Sequence, residues 1–292
     1  MQNNEINPTA DLPPTSIENN VALPELAPVS PDNPPWNSLT AFLVWLASVV
    51  FIIIVPSLLV LPYMLSQGVD FSDRTKVVEA AQSDPNTLLL NILGVIPAHA
   101  LTLILAWIII TRFNKFSFRE TLGWRWNGFN FWNCLIILGG FYILAAIAGY
   151  IYPEQENDLL RILKSSRTAV YVVAFMATFT APLVEEVVYR GVLYSAFQRT
   201  VGVPLSVAFV TFLFALVHVP QYYPSYSTIF LICLLSLVLT LVRVRTKNLL
   251  PCIALHTVFN GTQSLLLILQ PYIDNYIKTY EPQTGLIIQL FK

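Results

Sequence analysis

The sequence predicts an all-α fold, a polytopic membrane helical bundle of about seven to eight transmembrane helices. Of its 292 residues, 55% are hydrophobic and only 11% are charged, whereas a soluble globular domain carries roughly 25% charged residues. The mean hydropathy is +0.62. The apolar residues are also gathered into runs long enough to cross a hydrocarbon core of roughly 30 Å. Composition and pattern therefore both place most of the chain in a lipid bilayer.

Seven apolar runs predict seven spans. They cover residues 39–65, 87–110, 131–152, 168–184, 203–219, 226–242 and 249–270. The fourth run continues in pattern to residue 200, and a helix of that length would extend roughly 50 Å at about 1.5 Å per residue. Because this is too long for one straight span, we predict a kink at Pro182.

The segments outside the spans predict two tails around a bundle of residues 38–270. Residues 1–37 contain eight prolines among polar side chains, and such a composition buries too little apolar surface to fold. We predict a disordered, proline-rich tail there, with Trp36 as an anchor at the membrane interface. Residues 271–292 form a short C-terminal tail, in which the apolar stretch 285–291 is too short to cross.

The net charge and the cysteine content exclude some classes of partner and site. The formal net charge of −1 lacks the basic excess that binding to nucleic acid needs. The three cysteines lie inside apolar runs, without the spacing of a disulfide framework or a thiolate metal site. If the N-terminus is cytosolic, nine Lys and Arg residues near the span ends lie on the cytosolic side and seven lie on the outer side. This excess favours a cytosolic N-terminus. We therefore predict a multi-pass integral membrane protein, in the plasma (inner) membrane if the source is a bacterium.

Two adjacent glutamates interrupt the fourth apolar run. Ionisable side chains are costly within a span, so each one is a functional hypothesis. Glu186 and Arg190 are four residues apart and share a helix face, which predicts a buried, structural ion pair. Glu185 points about 100° away and has no cation on its own helix, as a general base or a metal ligand requires.

Two later spans each carry a pair of residues one helical turn apart. Phe214 precedes His218 on the fifth span, and His256 precedes Asn260 on the seventh. Both spans start at the predicted cytosolic face, and the depths of the two histidines differ by about 10 Å at 1.5 Å per residue. If helix tilt absorbs this difference, both meet Glu185 in a site nearer the cytosol. His99, alone on the second span, is assigned to core packing or to a backbone hydrogen bond.

One carboxylate, two imidazoles and one carboxamide are suited to hydrolysis of an amide by two mechanisms. In the first, Glu185 with His218 deprotonates a water molecule while His256 and Asn260 donate hydrogen bonds to the oxyanion. In the second, Glu185, His218 and His256 hold a zinc ion whose bound water attacks. The His-Glu-x-x-His helix of ordinary zinc proteases is absent from the sequence, which favours the metal-free version. The cofactor prediction is thus none or zinc.

At these residues the chain resembles the CAAX prenyl protease 2 and bacteriocin-processing (CPBP, or Abi) family of intramembrane endopeptidases. Its motifs are matched over residues 168–270, the protease-like core, by Glu185, Glu186 and Arg190, by Phe214 and His218, and by His256 and Asn260. The resemblance implies an all-helical membrane protease whose site opens to the cytosol and whose first glutamate is the general base. Members of this family are also classified as metalloproteases.

The resemblance leaves the substrate open. Eukaryotic members of the family trim the last three residues of prenylated proteins, whereas many bacterial members serve bacteriocin immunity or peptide maturation. We expect an endopeptidase that cleaves a membrane-associated protein or peptide, prenylated or not, with a glutamate-activated water. The alternative is a non-proteolytic scaffold or bacteriocin-immunity protein in which the same polar cluster is structural. A proton-coupled transporter is a third hypothesis, which the absence of internal repeats disfavours.

Overall fold

The computed structural model describes residues 28–153 and 155–284. Within these residues the only regular elements besides helices are two residues, Ser30 and Asn33, that form an isolated β-bridge. The ten helices are α1 (Ser38–Ser66), α2 (Arg74–Ser83), α3 (Pro85–Thr111), α4 (Phe118–Leu122), α5 (Phe131–Ile151), α6 (Asp158–Ser165), α7 (Arg167–Val201), α8 (Val203–Tyr222), α9 (Tyr226–Thr246) and α10 (Leu250–Thr284).

Seven of these helices are long and apolar enough to cross a membrane, namely α1, α3, α5, α7, α8, α9 and, over Leu250–Ile277, α10. They correspond one to one with the seven predicted spans, so the all-α polytopic bundle is confirmed. Three helices between the spans were not predicted, because α2, α4 and α6 contain only five to ten residues. Each begins at a polar N-cap, Asp73, Ser117 or Asn157, whose side chain accepts a backbone N–H of the first turn.

The last span extends further than predicted. Helix α10 continues without a break to Thr284, so residues 271–284, which we assigned to a tail, prolong the helix. The prediction of an interfacial stretch at 285–291 lies outside the described residues.

One end of the bundle is built from the loops that follow α3 and α9. The backbone N–H of Leu249 donates to Gly123 O at 2.8 Å, and Asn127 Nδ2 donates to Thr246 O at 2.6 Å. Gly123 has a φ of +76°, and a Cβ there would lie 2.7 Å from Asn248 Oδ1, so this contact requires glycine. We call this end, formed by residues 28–37, 112–130 and 247–249, the basic end.

Residues 28–37, the N-terminal strap, pack onto the basic end. Trp36 is 6% exposed, and its Nε1 donates to Val192 O at 3.0 Å. Asp32 accepts from Arg243 Nη1 at 3.1 Å and from Gln198 Nε2 at 3.2 Å. The carbonyl oxygens of three prolines accept from arginines: Pro31 from Arg243, Pro34 from Arg199 and Pro35 from Arg112.

The prediction of a disordered tail is therefore wrong for residues 28–37, and Trp36 is not an interface anchor. The polar, proline-rich composition of the segment did not indicate that Trp36 would be buried or that Asp32 would pair with the buried Arg243. The remainder of that predicted tail, residues 1–27, lies outside the described residues.

Candidate active site

Helix α7 carries the two glutamates between two stretches of π-helix. Residues Met176–Thr180 and Val187–Leu193 are π-helical, and six α-helical residues, Ala181–Glu186, lie between them. Single-turn π segments within α-helices occur frequently at functional sites. Pro182, the predicted kink, lies two residues after the end of the first π segment, so the irregular backbone and the proline occur together.

The first π segment leaves the backbone carbonyl of Ala177 without a donor from its own helix, and a side chain of another helix supplies the hydrogen bond. The N–H of Ala181 donates to Met176 O, and Pro182 has no N–H to donate to Ala177 O. Asn260 Nδ2 on α10 donates to that oxygen at 2.8 Å. One turn further along α10, Ser264 Oγ donates to Ala174 O at 3.2 Å. Polar side chains of α10 therefore hold α7 where its own hydrogen bonding is interrupted.

Glu186 and Arg190 form the ion pair that their spacing predicts. Arg190 Nη1 lies 2.7 Å from Glu186 Oε1, and both side chains are fully buried. The rest of the guanidinium is satisfied by α9, because Nε donates to Thr240 Oγ1 and Nη2 donates to both Oγ and O of Ser236. It also lies over the Phe214 ring, 4.8 Å from the centroid. The sequence did not single out Thr240 or Ser236, because lone hydroxyls are ordinary in apolar helices.

His256 lies between the two glutamates. Its Nδ1 is 2.8 Å from Glu186 Oε1, and its Nε2 is 3.8 Å from Glu185 Oε2. Because a carboxylate can only accept, Nδ1 carries the proton in this contact. The orientation of the ring is therefore set by Glu186, and Nε2 is directed towards Glu185.

Glu185 is the more accessible of the two glutamates. Its side chain is 22% exposed, and the ion pair with His256 is its only one among the described residues. The prediction that its own helix offers it no cation agrees with this arrangement, since His256 comes from α10. Glu185 is thus a partly exposed carboxylate beside an oriented imidazole.

His218 is placed one turn away from this group. Its Nδ1 lies 2.7 Å from Phe214 O, and its ring stacks on the Phe214 ring at 4.7 Å between centroids. The Phe214 ring also meets the His256 ring edge-on at 6.2 Å. Within the described residues, no hydrogen bond or ion pair joins His218 to Glu185 or His256.

A meeting of His218 with Glu185 therefore stays a prediction, since no direct bond joins the two side chains among the described residues. His218 lies fifteen residues after the start of α8, and Glu185 lies sixteen residues before the end of α7, roughly 22 Å and 24 Å from the basic end along their helices. Depth therefore does not separate the two residues, and the hydrogen bond of His218 goes to Phe214 O on its own helix.

The zinc alternative does not fit the side chains as placed. Among the described residues, no three His, Cys, Asp or Glu side chains are grouped closely enough to hold a metal ion. In the predicted set of Glu185, His218 and His256, the Phe214 ring lies near both imidazoles, at 4.7 Å from His218 and 6.2 Å from His256 between centroids. No step through a metal is derived from this geometry.

Comparison with known proteins agrees with the motifs. A family model described as type II CAAX prenyl endopeptidase Rce1-like matches residues 167–262, about a third of the chain. This segment contains all three motifs, so the resemblance predicted from them is confirmed. Curated proteins and solved structures gave no match. The chain is thus a multi-pass membrane protein that carries an Rce1-like segment of a protease family.

Proposed function

We propose that the protein is an intramembrane endopeptidase that hydrolyses a peptide bond of a membrane-associated protein or peptide, with a water molecule activated by Glu185. One observation carries the proposal. Glu185 is a partly exposed carboxylate within a span, and it faces Nε2 of an imidazole that a fully buried second glutamate holds in place. A carboxylate that serves structure alone is expected to be paired and buried, as Glu186 is.

The catalytic cycle needs one proton carrier and one stabiliser of negative charge. Glu185 accepts a proton from water, and the hydroxide attacks the scissile carbonyl carbon. The resulting oxyanion receives a hydrogen bond from His256 Nε2, and Glu185 returns the proton to the leaving amine. His256 donates through Nε2 as an imidazolium, and in that form Glu185, Glu186, Arg190 and His256 sum to zero charge.

We assign supporting roles to two further residues. Asn260 uses one amide hydrogen on Ala177 O, and its second amide hydrogen can donate to the oxyanion. His218 donates Nδ1–H to Phe214 O, so its Nε2 carries a lone pair in the neutral ring. In the complex with substrate we expect this nitrogen to accept a hydrogen bond from the attacking water.

The substrate class follows from the matched family. A type II CAAX prenyl endopeptidase suggests a chain that ends in a prenylated CAAX-type sequence, and this is the substrate we propose. His256 lies six residues after the start of α10 at the basic end, which we place in the cytosol, so we expect the substrate to approach from the cytosolic face of the plasma membrane.

The test compares wild type with Glu185→Gln in liposomes that contain a fluorogenic farnesylated CAAX-type peptide or its unmodified twin. Loss of the general base lowers kcat by about 10²–10⁴-fold. Glu156→Gln is the matched control, because Glu156 is an exposed glutamate paired with Lys164 outside the spans. If Glu185→Gln cleaves either peptide at the wild-type rate, the proposed mechanism is wrong.

A second candidate function rests on the Glu186 network. Glu186, Arg190, Ser236, Thr240 and His256 bond mainly to one another inside the bundle, as a purely structural network would. A scaffold or bacteriocin-immunity protein could use such a network to hold its fold. In that case protection of cells from a bacteriocin survives Glu185→Gln and is lost in variants that disrupt the Glu186–Arg190 pair.

A further inference from the structure

A third buried histidine contacts the site helix from α3. His99 is 6% exposed and lies near the middle of its span, fourteen residues after Pro85 and twelve before Thr111. Its Nδ1 lies 3.0 Å from Thr180 Oγ1 on α7. An ionisable residue at mid-membrane depth is costly and usually has a function. His99 also lies outside the family-matched segment. The sequence suggested core packing or a hydrogen bond to the backbone, whereas the structure shows a hydrogen bond to the side chain of Thr180.

The direction of the His99–Thr180 hydrogen bond follows from proton counting. Thr180 Oγ1 has one hydrogen and donates it to Met176 O at 3.3 Å. A hydroxyl that has given away its hydrogen can still accept. His99 therefore donates through Nδ1–H, and its ring is held at a defined orientation against α7.

Thr180 is the last residue of the first π segment, which is thus held from two sides. From α10, Asn260 binds Ala177 O and Ser264 Oγ lies 3.0 Å from Thr178 Oγ1. From α3, His99 binds Thr180. Five residues beyond Thr180 is Glu185, whose carboxylate is close enough to act electrostatically on the His99 ring.

We propose that His99 is a positioning residue of the same site, which fixes the π segment Met176–Thr180 through Thr180 and so sets the direction in which α7 presents Glu185. This inference rests on the proposed peptidase function. Because Glu185 must meet both the attacking water and the leaving amine, a small rotation of α7 lowers the turnover rate. Binding of the peptide, which relies on other contacts, is little affected.

Substitutions at the two partners separate positioning from packing. His99→Leu removes the donor, and His99→Asn keeps an N–H near the Nδ1 position. His99→Gln moves the N–H to the Nε2 position, which points away from Thr180. Thr180→Val removes the acceptor with little change in volume. Thr102→Val is the control, since Thr102 is fully buried on the same helix and bonds only to Ala98 O.

The measurements are kcat and KM on the farnesylated peptide in liposomes, together with the thermal midpoint of each variant. Misplacement of a reacting group by 1 Å can cost about 10²-fold. We therefore expect His99→Leu and Thr180→Val each to lower kcat by about 10- to 100-fold with KM nearly unchanged. The double variant should be no slower than either single one. His99→Asn should recover most of the lost kcat, and His99→Gln should not.

Two results would overturn the inference. If Glu185→Gln is inactive while His99→Leu retains the wild-type kcat, or if His99→Leu and Thr180→Val reduce kcat additively, His99 does not act through Thr180. If Glu185→Gln itself retains full activity, the peptidase proposal fails first and the inference fails with it. The Glu185 and His99 variants therefore distinguish the two failures.

Discussion

At the residue scale, Glu186 is fully buried and bonded to side chains of two helices. Its Oε1 accepts from both Arg190 and His256, while its Oε2 is buried without a hydrogen-bond partner. Burying a charge is costly unless it is paired. The carboxylate and the guanidinium therefore depend on each other, and removal of either leaves the other as a buried charge without its counter-ion. The His256 imidazole adds a further hydrogen bond to Glu186 Oε1.

Glu186→Ala should destabilise the protein by about 3–5 kcal/mol, because it leaves the Arg190 guanidinium buried without its counter-ion. The measurement is the free energy of unfolding from titration with SDS in mixed micelles. Glu156→Ala is the matched control. Its partner Lys164 is exposed, and exposed ion pairs contribute little. A change in Glu186→Ala no larger than that in Glu156→Ala would contradict the assignment.

The Glu186–Arg190 pair shows what spacing predicts well. A separation of four residues on one helix fixes a shared face, so this contact follows from sequence alone. The contacts of His256 do not, because they join residues 70 positions apart, and their geometry depends on where each helix begins. For the same reason, spacing fixes only the contact of His218 with Phe214 on its own helix and not its distance from residues on other helices.

At the element scale, the irregular part of α7 explains why α10 carries Asn260. A π turn and a proline together leave Ala177 O without a backbone donor, and the amide of Asn260 supplies one. The sequence indicated Pro182 as a disruption, but it could not indicate π-helix, since no residue pattern distinguishes a π turn from an α turn. The role of Asn260 in holding α7 therefore emerged only from the structure.

Asn260→Ala should lower the free energy of unfolding by about 1–3 kcal/mol, because it leaves a buried carbonyl unsatisfied. In a Pro182→Ala background the loss should be smaller, since the alanine introduced there has an N–H that can reach Ala177 O. A double-mutant cycle in mixed micelles measures this coupling. Gln263→Ala serves as the control on α10, as Gln263 is exposed. Equal costs in both backgrounds would contradict the explanation.

At the scale of the whole molecule, the N-terminal strap ties together helices that are distant in sequence. Asp32 and the carbonyls of Pro31, Pro34 and Pro35 reach arginines of α7, α9 and the loop after α3. Trp36 reaches the second π segment of α7, next to Arg190. The strap therefore stabilises the basic end of the same helix that carries the glutamates.

Asp32→Ala should cost about 1.5–3 kcal/mol of unfolding free energy, because Arg243 is 1% exposed and loses its only carboxylate among the described residues. The comparison is Asp70→Ala, whose carboxylate is exposed and pairs with Lys76 in the loop after α1. The readout is again SDS titration in mixed micelles. If the two variants are equally stable, the strap contributes no stabilising ion pair.

The orientation of the bundle decides from which side a substrate reaches Glu185. His256 lies only about 9 Å from the start of α10, and α10 starts at the basic end. Arg119, Arg125 and Lys247 are among the basic side chains that cluster there, and cytosolic loops are enriched in Lys and Arg. We therefore expect the basic end, which is the end nearer to His256, to face the cytosol.

Single cysteines at the two ends test this orientation. Glu120→Cys lies on α4 at the basic end and Gln82→Cys on α2 at the opposite end, and both positions are exposed. Each is placed in a background in which the three native cysteines are replaced by alanine. In intact bacterial cells a membrane-impermeant maleimide should label the Gln82→Cys variant alone, and labelling of the Glu120→Cys variant should require permeabilisation. The reverse pattern would place the basic end outside the cell, and a cytosolic substrate would then have to reach the site from the opposite end of the bundle.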